Sequence, residues 1–212
     1  MLMNHQYAQS RRRERGDTLI EVLFSITIFS LIMVGAMALM NQGVSSATRS
    51  LQITLARQQV DSQAETLRFL SASYVANFKP GTITPSSATP SGQYATVLVR
   101  AESSSDLATN FSASTGVTCP AAPAGSFILN SSAAAYPATM NLVAATTYPQ
   151  VTVSGSTVTG QGIWIEAVRS DRDAVANTRY VDYHIRACWG APGTNVPMKI
   201  ATIVRLYEPS SY

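Results

Sequence analysis

Glu21 is the residue whose type and position first call for a chemical explanation. It directly precedes Val22–Met40 (VLFSITIFSLIMVGAMALM), a run with no charge and no proline. A carboxylate at the edge of a lipid-sized apolar run is costly unless a cation neutralises it, so Glu21 implies a counter-charge. Other reactive groups are few. Cys119 and Cys188 are the only cysteines. An even pair reads as a disulfide in a chain that leaves the cytosol, and as two buried thiols in a reducing compartment. His184 is the only histidine beyond His5; with two cysteines it cannot supply four zinc ligands. Its mid-strand place on a polar face reads as an ordinary surface histidine. Asp171 and Asp173 are too few for a calcium site and read as solvating a turn. No G-x-S-x-G, H-E-x-x-H, P-loop or G-x-G-x-x-G pattern occurs. The expectation is therefore a non-enzymatic chain without metal or cofactor. Trp164, Trp189, Tyr183 and Tyr207 read as core or edge packing before they read as a ligand platform. Asn110-Phe-Ser112 and Asn130-Ser-Ser132 fit the N-glycosylation spacing, which is a weak signal.

The element that positions Glu21 is a helix. Val22–Met40 spans roughly 28 Å as an α-helix, against about 30 Å for the hydrocarbon core of a bilayer. Only Ser25, Thr27 and Ser30 interrupt it with polar atoms, so it lacks the polar stripe of a soluble core helix and reads as membrane-inserting. Arg11, Arg12, Arg13 and Arg15 precede it. Basic residues beside a hydrophobic span stay cytoplasmic, which sends the C-terminal part outward, extracellular or periplasmic.

Those four arginines, less Glu14, account for the whole formal charge of +3. The remainder is neutral, with only Lys79 and Lys199 as lysines. A nucleic-acid surface needs clustered cations on the folded part, so direct nucleic-acid binding by the outer part is not expected. Ser, Thr and Ala take the place of charge, as suits a surface outside the cytosol.

After Met40 the helical signal turns amphipathic. Ile53, Ala56, Val60, Ala64, Leu67 and Leu70 recur at spacings of three and four, with Arg49, Arg57, Asp61, Glu65 and Arg68 on the other faces. One helix from about Thr18 to Leu70 is predicted. Residues 79–92 and 103–126 are rich in Pro, Gly, Ser and Thr and read as loops. Strands are predicted at Tyr94–Arg100, Ser126–Asn130, Gln150–Val153, Gly162–Val168, Tyr180–Cys188 and Lys199–Tyr207. The fifth is clearest: Val181, Tyr183, Ile185 and Ala187 alternate with Asp182, His184 and Arg186. Hairpin loops are expected at Ser170–Thr178 and Gly190–Pro197. The fold class is α+β, an antiparallel sheet packed on the second half of the long helix. The domains are a leader at 1–16, a helix at 17–70 with its membrane part at 22–40, and a β domain at 71–212.

The junction Arg11-Arg-Arg-Glu-Arg-Gly16, Asp17-Thr-Leu-Ile-Glu21-Val-Leu, followed by the apolar run, resembles the type IV prepilin leader. The close match covers about thirty residues; the long helix, β domain and paired cysteines extend it loosely. The resemblance implies cleavage between Gly16 and Asp17 by a prepilin peptidase, on the cytoplasmic side. It implies membrane lipid as the first environment, then an inner-membrane assembly machinery and other pilin subunits as partners. The glutamate five residues after the cut neutralises a neighbour's N-terminus in that family, a role that falls here on Glu21. The family's first mature residue is usually Phe, often N-methylated, and this chain has Asp17, which leaves N-methylation open. The proline that often kinks the anchor helix is absent.

The implied function is a minor pilin of a type IV pilus-like filament on the cell surface, with adhesion inherited from the filament. A type II secretion or competence pseudopilin is the alternative, and a single-pass anchored surface protein that never polymerises is a further one. Ala36-Met-Ala38 resembles a signal-peptidase site. The apolar run is too long for an ordinary signal, and Glu21 sits at its start.

Overall fold

The computed structural model describes residues 17–79, 83–102, 118–169 and 179–209. The arginine run, Gly16, the Ser170–Thr178 segment with Asp171 and Asp173, and Asn110 lie outside the described residues. The described elements are two helices and six strands, an α+β architecture: α1 (Asp17–Ala76), α2 (Pro90–Glu102), β1 (Thr139–Val143), β2 (Gln150–Ser154), β3 (Thr157–Gln161), β4 (Ile163–Arg169), β5 (Arg179–Trp189) and β6 (Met198–Glu208). The chain divides into two units, Met1–Ala47 and Thr48–Tyr212.

In the first unit, α1 carries Thr18–Asn41 entirely exposed. Two of its hydroxyls bond back to the helix: Thr27 Oγ1 donates to Phe24 O (2.8 Å) and Ser30 Oγ to Ile26 O (2.7 Å). Bonding of this kind lets a hydroxyl sit on a lipid-facing surface.

In the second unit, Ala56, Val60, Ala64, Leu67 and Leu70 form the buried stripe of α1, while Arg57, Asp61, Glu65 and Arg68 are exposed. The helix runs six residues past its expected end at Leu70. Asn77 closes it, its Nδ2 and N both donating to Ser73 O; Pro80 follows and cannot continue a helix.

Residues Tyr94–Arg100 are helical, not the predicted strand. Thr89 Oγ1 accepts from Gly92 N (3.2 Å), Pro90 occupies the first helical position, and Gln93 N bonds Thr89 O. That is an N-cap followed by proline, a strong helix start. Tyr94, Val97, Leu98 and Ala101 then bury one helical face. The predicted strand at Ser126–Asn130 reduces to single bridges, Phe127 to Ile165 and Asn130 to Ala135.

Two three-stranded sheets follow. In β4-β5-β6 all pairs are antiparallel, and β5 pairs with β6 without a break from Arg179–Glu208 to Trp189–Met198. The Gly190–Pro197 segment is the expected hairpin link. The second sheet has the order β1-β3-β2, with β1 parallel to β3; β1 and β3 were not predicted. Core-facing Ile163, Ile165, Val181, Tyr183, Ile185 and Val204 join the α1 stripe, the α2 face and Phe127–Leu129 in one cluster.

Candidate functional site

Glu21 lies little more than one turn into α1, with its side chain exposed. Every residue from Val22 to Met40 beyond it is exposed too, including Phe24, Phe29 and Leu31 at 60–77 %. α1 is the one described helix long and apolar enough to cross a membrane, and none of its apolar window is buried. From Thr18 to Asn41 Glu21 is the only charged residue. The arrangement offers a carboxylate at the head of an uncovered apolar surface. It suits insertion into lipid, or packing against other helices with a cation supplied from outside.

The second unit, Thr48–Tyr212, is tied together by a covalent and two polar links. Cys119 is disulfide-bonded to Cys188, with their Cα atoms 5.6 Å apart, and ties the segment before β1 to the end of β5. Next to Cys188, Trp189 is fully buried and its Nε1 donates to Gln52 Oε1 of α1 (3.1 Å). Gln63 makes a second polar link, bonding both the N and the O of Leu129. Neither glutamine was singled out from sequence, because a polar residue on an amphipathic helix reads as solvent-facing. The only available signal was that both fall beside the apolar stripe.

The other candidate residues do not converge on a reaction centre. His184 sits on β5 opposite Glu166 and Ile203. Partial burial, then the charge of Arg186, lower its pKa, with Asp182 opposing. Glu166 is buried; its Oε1 accepts from Trp164 Nε1 (2.6 Å) and lies 3.6 Å from Arg186 Nε. Trp164, Tyr183 and Trp189 are core residues, while Tyr207 is exposed and packs against Tyr180. Asn130 Oδ1 caps a turn by accepting from Ser132 N and Ala133 N. No group of three His, Cys, Asp or Glu side chains among the described residues is placed to hold a metal.

Among known proteins, residues 11–37 match the family model described as the prokaryotic N-terminal methylation motif. No curated protein matches the chain, and no solved structure matches it. The matched segment contains the Gly16–Asp17 junction and Glu21 and ends within the exposed apolar stretch of α1. The motif supports a type IV pilin-like or pseudopilin precursor. The chain thus carries the class III leader of type IV pilins at residues 11–37, continuous with a long apolar N-terminal helix.

Proposed function

We propose that the chain is a minor pilin, a non-enzymatic subunit of a type IV pilus-like filament. The observation that carries this reading is the methylation motif at 11–37 running directly into an α1 surface that nothing covers. On this reading a prepilin peptidase cuts between Gly16 and Asp17 and leaves the apolar helix in the mature protein. The helix first spans the inner membrane with its N-terminus cytoplasmic. The assembly machinery then moves it from lipid into a bundle of other pilin helices, where Glu21 meets the new N-terminal ammonium of a neighbour. The outer domain rides on the filament surface. Two features favour a minor over a major role: Asp17 in place of the usual first residue, and long Ser/Thr-rich loops that would stack poorly in many copies.

N-terminal sequencing of the membrane-extracted protein should begin Asp-Thr-Leu-Ile-Glu. A start at Leu39 would mean ordinary signal-peptidase processing at Ala36-Met-Ala38 and loss of the anchor, and the proposal would fail. Correct cleavage without any subunit in sheared surface filaments would move the assignment to a secretion or competence pseudopilin.

A further inference from the structure

β6 (Met198–Glu208) is the last strand of its sheet. All eleven of its residues are in register with β5, and among the described residues nothing pairs with its other edge. Such an edge presents a row of main-chain N–H and C=O groups on which a further strand can form. Proteins commonly guard an edge by keeping the strand short, or with a bulge or a proline. β6 is long, pairs without a break and contains no proline. Its side chains alternate: Ile200, Val204 and Leu206 pack on the core, while Lys199, Ala201, Ile203, Arg205 and Tyr207 are exposed. Ile203 and Tyr207 are 59 and 60 % exposed, so the outer row offers apolar area as well as backbone.

A cavity of about 540 Å³ borders this strand, an ordinary size for a ligand site. Trp164, Arg186 and Ala201 lie side by side in the register, and all three line it. Pro120, Lys199 and Ile203 extend the wall, to which β6 contributes residues 199–203 without a gap. Ile200 packs on the core on the opposite face, so the main chain of β6 forms part of the wall. Ala201 is a methyl group between two long side chains, which leaves room above it for a larger one. Among the described residues that line the cavity none is acidic, while Arg186 and Lys199 carry positive charge. Glu166, buried and 3.6 Å from Arg186, answers that guanidinium; the exposed Lys199 stands at the edge itself.

We infer that the free edge of β6 takes up an extended acidic and apolar segment of a partner protein as a fourth strand. Main-chain bonds along the edge supply affinity, and a pocket for alternate side chains supplies specificity. Cross-strand pairing fixes the pattern of the segment. An acidic residue faces Lys199, a large apolar one enters the cavity over Ala201, and a β-branched one covers Ile203. A second copy fits less well, because its β6 would bring Lys199 and Arg205 to an edge that already carries both. Like charges facing across strands are destabilising. The inference concerns the Thr48–Tyr212 unit alone, so it does not depend on the filament reading.

The test uses the full chain in detergent and two fluorescent, end-blocked heptapeptides, Thr-Glu-Thr-Phe-Thr-Val-Thr and its reverse, which cover both strand directions. Saturable binding of at least one is expected by anisotropy. A strand turns alternate N–H groups to each edge, so N-methylating alternate amides should abolish binding in one phase and spare it in the other. Lys199→Glu should weaken binding about tenfold, the swing from an attractive to a repulsive cross-strand pair. Replacing the peptide's Glu by Lys should restore it. Ala201→Leu, at an exposed position, should fill the gap and block both peptides with an unchanged unfolding midpoint. No saturable binding of either peptide up to about 1 mM would overturn the inference, as would binding that survives N-methylation in both phases. Self-association of the chain that Ala201→Leu abolishes would overturn it too, by giving the edge to a second copy.

Discussion

Gln63 grips Leu129 by both of its backbone polar groups: Gln63 Nε2 donates to Leu129 O at 2.9 Å, and Leu129 N donates to Gln63 Oε1 at 2.9 Å. The two residues are 66 apart in sequence and both fully buried. The side-chain amide acts as a surrogate strand for the Phe127–Leu129 segment, whose only strand pairing beside it is the single bridge from Phe127 to Ile165. It thereby joins α1 to the segment that lies against β4.

Removing this amide leaves a buried N–H and a buried C=O without partners, each costing about 1–3 kcal/mol. Gln63→Leu keeps the volume and should lower the unfolding free energy of the Thr48–Tyr212 unit by roughly 2–4 kcal/mol. Urea unfolding followed by Trp fluorescence reads this directly, since Trp164 and Trp189 are both buried. A loss under about 0.5 kcal/mol, the range of a neutral surface change, would show that water or the backbone takes over both bonds.

The disulfide closes a separation of 69 residues. In the chain-entropy model such a loop is worth about 4 kcal/mol, less any strain in the native state. Cys119→Ala with Cys188→Ala should therefore lower the unfolding midpoint markedly, and reductant should bring the wild type to the same value. Mass analysis without reductant should find no alkylatable thiol. Two reactive cysteines in protein kept oxidising throughout would remove the bridge from the account.

Legibility from sequence followed the range of each signal. The leader and apolar run are contiguous, and Tyr180–Cys188 announced its buried face by strict alternation, so both were readable. Tyr94–Arg100 was not, because Ala95-Thr-Val-Leu-Val99 combines β-branched residues with an apolar run that fits either period. What decides the outcome is Thr89-Pro90 at its start, a cap signal lying inside a stretch that reads as loop. β1 and β3 were missed because each is only five residues long and offers two inward positions, Met140 and Leu142 in one, Val158 and Gly160 in the other, too few for an alternation to stand out. Gln52 and Gln63 depend on partners 137 and 66 residues away, which no local pattern reveals. Glu21 and its junction were legible as a motif, since their chemistry is set by neighbours along the chain.

Acid should weaken the Thr48–Tyr212 unit partly through His184. Burial and the nearby Arg186 hold its folded pKa below the ordinary value, so the unfolded chain binds a proton more readily than the folded one. Its contribution is complete above the unfolded pKa of about 6.5 and declines as pH falls through the window below that value, down to the folded pKa. His184→Gln cannot be protonated in this range. Unfolding midpoints at pH 7.5 and 5.5 should therefore differ less in the variant than in the wild type. An equal or larger drop in the variant would assign the acid sensitivity to the carboxylates alone.

The charge at the head of α1 separates a filament subunit from a passive anchor. If the helix only holds the domain in a bilayer, Glu21→Gln should be harmless or favourable, because it removes a carboxylate from the lipid edge. If the helix must leave the membrane and dock among others, that carboxylate is the counter-charge to an N-terminal ammonium. Losing it would strand the ammonium, and breaking a buried pair costs about 3–5 kcal/mol, enough to lower incorporation sharply. Cleavage after Gly16 would place a second carboxylate, Asp17, on the residue that bears the ammonium, a partial substitute from within the same chain. Glu21→Gln alone should therefore be mild, while Asp17→Asn combined with Glu21→Gln should be severe. The quantity to measure is subunit recovered in sheared surface filaments, normalised to subunit in membranes, with N-terminal sequencing to confirm that each variant is still cut. A cleaved double variant that reaches filaments as the wild type does would refute charge pairing while leaving the filament assignment standing. A wild type that stays in membranes under piliating conditions would instead refute the filament assignment itself.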